Sequence, residues 1–139
     1  DMILNSDFFA VRNSLLLIDN PVLYPAWFLH AKKGNKTIQE IRNVAFAYWL
    51  KNEHVIEYLL PNLIITLVVK SNPEVEQEIP YMNSDYSEYL VKVLADDYSE
   101  EKWNWIKKLT GIHKLTYKLS PDIEAEGTFY KALIENSIE

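Results

Sequence analysis

The pattern of hydrophobic and polar positions predicts two strands in the first part of the chain. Residues 7–12 are apolar on both faces, which is typical of a strand inside a covered sheet. Residues 26–31 predict a second strand, whose alternation places His30 on one face and Trp27 on the other. Between them, the apolar run at 15–18 fits either a short helix or a strand, because so short a run has no diagnostic period.

Helical periodicity dominates the centre of the chain. Thr37 and Glu40 have the form of a capping box, and apolar residues then recur at three- and four-residue steps. A helix is therefore expected from Thr37 to about Asn52. A second helix is expected over 54–70, with a kink or restart at Pro61, since proline costs about 3 kcal/mol inside a helix.

The last part of the chain predicts short helices and one further strand. Residues 74–80 fit a single solvated helical turn, and Gly111 stands where a left-handed helix C-cap is expected. The stretch 112–118 alternates as a strand does. Hydroxyl side chains stand where helix N-caps are expected: Ser84 or Ser87, Ser99, and Thr128.

The order of these elements indicates the fold class. Two strands, several helices, a strand and a helix favour a helix-rich α/β domain with a few strands. The 139 residues are the length of one domain. We therefore expect residues 1–139 to form a single domain or the second half of one.

Composition and charge exclude several classes of function. The net charge of −6 and the dispersed basic residues argue against a nucleic-acid partner. The lack of cysteine excludes disulfides, thiolate zinc sites and a cysteine nucleophile. Three glycines cannot supply a glycine-rich phosphate loop or a serine nucleophile elbow. The longest apolar run, 59–69, spans only about half of a bilayer core, so a buried helix is favoured over a membrane span.

Aromatic residues are numerous for a chain of this size, with four Trp, nine Tyr and five Phe. Large rings commonly fill a core, and this is the simpler interpretation. The alternative is a carbohydrate or nucleotide pocket lined by ring faces.

Three groups of residues are candidates for chemistry. His113, Lys114 and Lys118 lie on or beside the strand predicted at 112–118, whose basic edge could meet a diphosphate; a solvated strand face is the commoner alternative. His30 ends a predicted strand, where it is either a ligand or a histidine satisfied by hydrogen bonds. Glu57 lies among apolar residues, where its pKa could be raised; equally, it could face solvent or cap a helix.

Several segments, in a fixed order, carry a likeness to a known family. They are Phe8-Phe9, Trp27–Ala31, Tyr48-Trp49, Ile56–Leu60, Asn72–Val75, Ile79–Asn83, Glu100–Trp103, His113–Lys118 and Gly127–Tyr130. Together they resemble the C-terminal part of bacterial capsular polysaccharide synthesis glycosyltransferases, which are similar to enzymes with an Asp-x-Asp sugar-binding motif. The likeness is most specific in the last two segments.

The resemblance implies a GT-A-type fold, a nucleotide-sugar donor and a divalent metal, Mn²⁺ or Mg²⁺. It also implies sugar transfer to a growing glycan or a lipid-linked glycan at the cytoplasmic face of the membrane, with peripheral membrane association. The residue roles that it implies are a metal ligand (His113), diphosphate contacts (Lys114, Lys118), a catalytic or acceptor-positioning carboxylate (Glu57), and acceptor or sugar contacts (Trp27, His30, Tyr58).

The sequence departs from the family pattern in two respects. The family usually has Asp at the position of Glu57, and no Asp-x-Asp occurs in this chain. In the family, the donor-binding half precedes the Phe8-Phe9 strand. The resemblance therefore implies that this chain is a C-terminal portion, which is inactive alone. Its partner would be the missing N-terminal half of the same protein, and most of the metal ligands would lie outside this chain. The alternatives are a non-catalytic helical module that binds glycan or protein, or an intracellular structural protein.

Overall fold

The computed structural model describes residues 2–14 and 21–135 of the chain. Within them, the chain forms two strands and seven helices: α1 (Met2–Asn5), β1 (Phe8–Ala10), β2 (Leu29–Ala31), α2 (Lys36–Trp49), α3 (Leu60–Ser71), α4 (Pro73–Glu78), α5 (Ser84–Lys92), α6 (Glu100–Leu109) and α7 (Phe129–Ile134). The prediction for 15–18 lies outside the described residues. The contacts divide the chain into two compact units, Asp1–Ser84 and Asp85–Glu139.

The described part of the chain is helix-rich, with one small antiparallel sheet, β1–β2, in the first unit. This composition is compatible with the α/β class. All three residues of β1 are buried, as predicted for a covered strand. The pairing joins Phe9 to His30, while Leu29 and Ala31 pack on the core of the unit, so the predicted alternation holds at this end of the second strand.

The second strand is shorter than the predicted span of 26–31. Its first half is not strand, because the backbone groups there have other partners. The Ala26 amide donates to Asn62 Oδ1 at 2.9 Å instead of to a neighbouring strand. Pro25, which has no amide hydrogen, precedes it.

The core of the first unit joins the sheet to its helices. Phe8, Ala10, Tyr24, Ile65 and Val69 form its buried centre, and apolar residues of α2 and α4 pack against them. A helix that buries one apolar stripe in this way gains most of its stability from packing rather than from propensity.

Asn35, not Thr37, caps α2. Its side chain accepts a hydrogen bond from the Ile38 amide at 3.0 Å, which makes Thr37 the second residue of the helix. Gly34 precedes the cap with φ +80°, a conformation that glycine adopts readily. The helix also ends earlier than predicted, at Trp49.

The helix predicted over 54–70 corresponds to α3, but the prediction was wrong for residues 54–59, which are not helical. It begins at Leu60 and places Pro61 in its first turn, so the proline starts the helix and does not kink it. The first turn accepts proline because its amides have no intrahelical partner. The short turn predicted at 74–80 is confirmed as α4, which begins at Pro73.

The second unit is built from the predicted short helices. Ser99 and Thr128 cap α6 and α7 as expected, each accepting a backbone amide hydrogen bond at 3.3 Å. Neither predicted serine caps α5: Ser84 is already its first residue and Ser87 lies inside it. The core of this unit consists of Leu90, Val93, Leu94, Ile106 and Phe129.

The strand predicted at 112–118 is not formed. The segment has no regular secondary structure, and two of its amides bond to nearby threonine hydroxyls, Ile112 to Thr110 and Lys118 to Thr116, both at 3.1 Å. Local bonds of this kind compete with a sheet ladder, and residues 85–135 of the second unit contain no strand with which the segment could pair. Gly111 does not adopt a positive φ, so the predicted left-handed cap is also wrong.

Candidate functional site

An apolar groove lies between α2 and α3 in the first unit. Its volume is about 680 Å³, and Trp49 from α2 and Ile64 from α3 stand among its walls. The groove exists because the apolar stripe of α2 continues beyond the part that packs on the core. Leu29 and Tyr58 complete the wall from the sheet and from the loop before α3. Exposed apolar surface with an aromatic rim is typical of a binding surface.

Tyr48 holds the loop that forms the rim of this groove. Its hydroxyl donates to the His54 carbonyl at 2.6 Å and accepts from the Ile56 amide at 3.1 Å. Its ring also meets Trp49 edge to face, with centroids 5.2 Å apart. One side chain therefore fixes both the loop and the aromatic wall. Sequence reasoning treated Tyr48 as a residue of the buried stripe, and its loop contacts are not apparent from periodicity.

The predicted residues Glu57 and Tyr58 both lie on this loop. Tyr58 lines the groove with 86% of its surface exposed, so its ring is available to a ligand. Glu57 is exposed, and its carboxylate accepts a hydrogen bond from the Leu59 amide at 3.2 Å, just before α3. This is the solvent-facing arrangement that the sequence left open; no side chain among the described residues caps α3.

Trp27 and His30 do not line the groove, although their neighbours Ala26 and Leu29 do. The Trp27 indole donates to the Ser84 hydroxyl at 3.0 Å, so its polar edge has a partner within the unit. His30 is half-buried in β2, and its Nε2 atom is buried without a hydrogen-bond partner.

His113 packs against Trp103 in the second unit, with ring centroids 5.9 Å apart. Burial lowers the pKa of His113, which favours the neutral imidazole. In residues 85–135, three polar atoms are buried without a hydrogen-bond partner: His113 Nδ1, Trp103 Nε1 and Ser87 Oγ. Groups left in this state are uncommon in folded proteins. Sequence reasoning missed Ser87 and Trp103, which it assigned to a cap and to the core.

Lys114 and Lys118 differ in their surroundings. The Lys114 ammonium lies 3.1 Å from Glu88 Oε1, and its amide donates to the Ser87 carbonyl at 2.8 Å, so the residue is tied to α5. Lys118 is exposed and has no ion-pair partner among residues 2–14 and 21–135. Because the predicted strand is absent, the common basic edge that the alternation implied is not formed.

The described residues do not supply a metal site. Nowhere in residues 2–14 and 21–135 do three or more His, Cys, Asp or Glu side chains come together as potential ligands. His113 would be a single ligand, and a divalent ion of the Mn²⁺ or Mg²⁺ type prefers several oxygen ligands. A metal ion would therefore need ligands from outside the described residues.

The candidate residues are divided between the two units. Trp27, His30, Glu57 and Tyr58 belong to the first, whereas the basic residues and His113 belong to the second. Only Tyr58 among them lines the groove. Among the described residues, no helix is long and apolar enough to cross a membrane.

Comparison with protein families supports the resemblance to capsular polysaccharide synthesis proteins. A family model described as capsular polysaccharide synthesis protein matches residues 1–133. The chain belongs to this family. The capsular polysaccharide synthesis family links the chain to capsule biosynthesis. Neither the comparison with curated proteins nor that with solved structures gave a match.

Proposed function

We propose that this chain contributes to the transfer of a sugar from a nucleotide-sugar donor to a growing capsular polysaccharide. The observation that carries the proposal is the family match over residues 1–133. Capsule synthesis requires glycosidic bonds to be formed from activated sugars, and a glycosyltransferase is the enzyme class that forms them. The GT-A-type fold and location at the inner face of the membrane are part of the same proposal.

The groove supports a role in holding the acceptor. Tyr58 and Trp49 line the groove beside apolar side chains, and both rings are exposed. Sugar rings stack on aromatic faces through their C–H groups, and an isoprenoid chain of a lipid-linked glycan would find apolar surface there. We assign to Tyr58 a contact with the acceptor sugar. Glu57, its neighbour in the chain, would accept a hydrogen bond from a sugar hydroxyl. Trp27 and His30 have weaker support, because neither lines the groove.

The second unit supports a role on the donor side. Lys118 carries a free, exposed charge that could meet a diphosphate, whereas Lys114 would first have to leave Glu88. Burial lowers the pKa of His113 and so favours the neutral imidazole, and its Nδ1 atom has no hydrogen-bond partner among the described residues, as a metal ligand or hydrogen-bond acceptor requires. Lys118 is therefore a stronger candidate than Lys114 for the contact with the diphosphate.

Isothermal titration of the full-length protein with uridine and guanosine diphosphate sugars, in the presence of Mn²⁺, tests the proposal. We expect saturable binding of at least one donor. Lys118→Gln should weaken binding, while Lys51→Gln, an exposed lysine of the first unit, should leave it unchanged. Failure to bind every donor would contradict sugar transfer.

The exposed aromatic groove also favours a second candidate, a non-catalytic module that binds glycan. This candidate predicts that the 139-residue chain binds capsular oligosaccharide without nucleotide or metal, and that Tyr58→Ala removes that binding. Binding that depends on a donor nucleotide would instead favour the enzyme.

A further inference from the structure

Three buried polar atoms of the second unit have no hydrogen-bond partner among the described residues. They are Ser87 Oγ in α5, Trp103 Nε1 in α6 and His113 Nδ1 in the segment that follows α6. Ser87 is completely buried, with 0% of its surface exposed. Folded proteins leave few buried polar groups unpaired, so each of these atoms requires a physical explanation.

Two contacts bring together the segments that carry these atoms. The Lys114 amide donates to the Ser87 carbonyl at 2.8 Å, so the chain passes α5 immediately after His113. The His113 ring packs against Trp103, with centroids 5.9 Å apart and ring planes inclined by 45°. Because His113 and Lys114 are consecutive, these contacts bring Ser87, Trp103 and His113 into one cluster.

The hydrogen-bonding types of the cluster define what it can bind. The Trp103 indole nitrogen only donates, the Ser87 hydroxyl both donates and accepts, and Nδ1 of a neutral His113 does one or the other. A partner shared by all three must therefore both accept and donate hydrogen bonds. A metal cation accepts none, whereas a water molecule or a hydroxyl group does both.

Charge and burial favour a small, neutral ligand. The Lys114 ammonium beside the cluster lies 3.1 Å from Glu88 Oε1, which compensates its charge. The Lys107 ammonium lies over the face of the Trp103 ring, 5.5 Å from the centroid, and not at the edge that carries the indole hydrogen. A buried anion without a charged partner is strongly unfavourable. Because the three atoms are themselves buried, the ligand is of the size of a water molecule.

We propose that one buried water molecule binds in this cluster and joins α5, α6 and residues 112–118. It accepts a hydrogen bond from Trp103 Nε1 and forms hydrogen bonds with Ser87 Oγ and His113 Nδ1. Buried waters make about three such bonds, to groups that otherwise lack a partner. The site requires the binding of water alone, so it stands or falls separately from sugar transfer.

The water gives residues 112–118 a connection to α6 in addition to their contacts with α5. The segment has no regular secondary structure, and Lys114 ties it to α5 through its amide and its ammonium. A water bound at Nδ1 also fixes the orientation of the His113 ring, so a contact with a donor or a metal would use Nε2. That consequence, unlike the water site itself, rests on the proposed function.

Water-selective ROESY on the ¹⁵N-labelled full chain tests the site at the Trp103 indole hydrogen. We expect a dipolar cross-peak between this hydrogen and water, with a sign opposite to that of chemical exchange. The Trp105 indole belongs to the same helix and is 48% exposed, so it should show exchange with bulk water only. ¹⁷O relaxation dispersion counts long-lived waters, and the Ser87→Ala/Trp103→Phe variant should hold one fewer than wild type.

A single variant tests whether Ser87 and Trp103 share the water. Ser87→Ala removes one partner of the water, so exchange of the Trp103 indole hydrogen should become about fivefold faster. Tyr86→Phe removes an exposed hydroxyl from the neighbouring residue of α5 and should leave that rate unchanged. Circular dichroism on each variant confirms that the fold is retained, and the ROESY measurement needs only the wild type.

Three results would overturn the site. The first is the absence of a dipolar cross-peak between water and the Trp103 indole hydrogen in the wild type. The second is an equal number of long-lived waters in wild type and Ser87→Ala/Trp103→Phe, which is expected if the side chains bond to one another directly. The third is an equal exchange rate in Ser87→Ala and Tyr86→Phe.

Discussion

The Tyr48 hydroxyl donates a hydrogen bond to the His54 carbonyl at 2.6 Å, across the loop that carries Glu57 and Tyr58. Tyr48 is the penultimate residue of α2, so the end of a packed helix holds an exposed loop. Because the same hydroxyl also accepts from the Ile56 amide, one group fixes two points of the loop.

Removing this hydroxyl should loosen the loop and leave the fold intact. In Tyr48→Phe, the Ile56 amide loses its acceptor, so hydrogen exchange at Ile56 should become faster. The loss of unfolding free energy should be about 1 kcal/mol or less, because the freed groups can reach water. Tyr81→Phe removes an exposed hydroxyl outside the groove and is the control. Unchanged exchange at Ile56 in Tyr48→Phe would show that the loop is held in another way.

Glu76 should make the first unit sensitive to acid. Burial raises its pKa, but hydrogen bonds from Lys70 and Tyr24 and the charges of Lys70 and Arg12 outweigh burial, so the pKa lies below 4.5. A carboxyl whose pKa is lower in the folded state contributes stability above its unfolded pKa, and this stability is lost as the pH falls through the folded pKa. Glu76→Gln should lower stability at pH 7 and flatten its decline below pH 4.5.

Denaturant unfolding between pH 7 and pH 3 measures this effect. Glu74→Gln removes an exposed carboxylate from the same helix and should reproduce the wild-type profile. If Glu74→Gln and Glu76→Gln change the profile equally, the contacts around Glu76 are not responsible for the acid sensitivity.

Tyr24 should make the stability of the first unit sensitive to alkaline pH. It is 1% exposed, and its pKa is raised from 10.0 to about 12: burial raises it most, Arg12 lowers it, and the hydrogen bond to Glu76 and the Glu76 charge raise it further. The folded state therefore holds the phenol proton more tightly than the unfolded state does. This stability is present below pH 10 and is lost as the pH rises from 10 towards 12. Unfolding curves over that range should decline less steeply in Tyr24→Phe than in the wild type.

His113 should remain neutral at physiological pH. Burial lowers its pKa below 6.5, so the unfolded state takes up a proton at a higher pH than the folded state does. Stability should therefore fall as the pH drops below 6.5. An NMR titration of the imidazole should give a midpoint below 6.5, and a midpoint at or above that value would show that the ring is not desolvated as described.

Local signals in the sequence predicted the elements that depend on local interactions. The caps at Ser99 and Thr128 are formed because a cap needs only its own helix, within three residues. At α2 the predicted cap, Thr37, was wrong: Asn35, two residues earlier, caps the helix directly after the turn at Gly34.

Elements that depend on distant partners were not predictable in the same way. Residues 112–118 alternate like a strand, but a strand needs a neighbour, and nothing local reports whether one exists. The contacts of the candidate site likewise depend on residues that are distant in the sequence. Tyr58 was named through the family resemblance, and the folded chain places it in the wall of the groove. The loop contacts of Tyr48 arise only once the chain has folded.

Sugar transfer by the full-length protein tests the central claim most directly. The assay follows incorporation of labelled sugar from uridine or guanosine diphosphate donors into a capsular oligosaccharide, for wild type, Tyr58→Ala and Tyr81→Ala. We predict transfer by wild type and Tyr81→Ala, and a loss of roughly three- to tenfold in kcat/KM for the acceptor in Tyr58→Ala, which removes the exposed ring of the groove. No transfer from any donor would contradict the account.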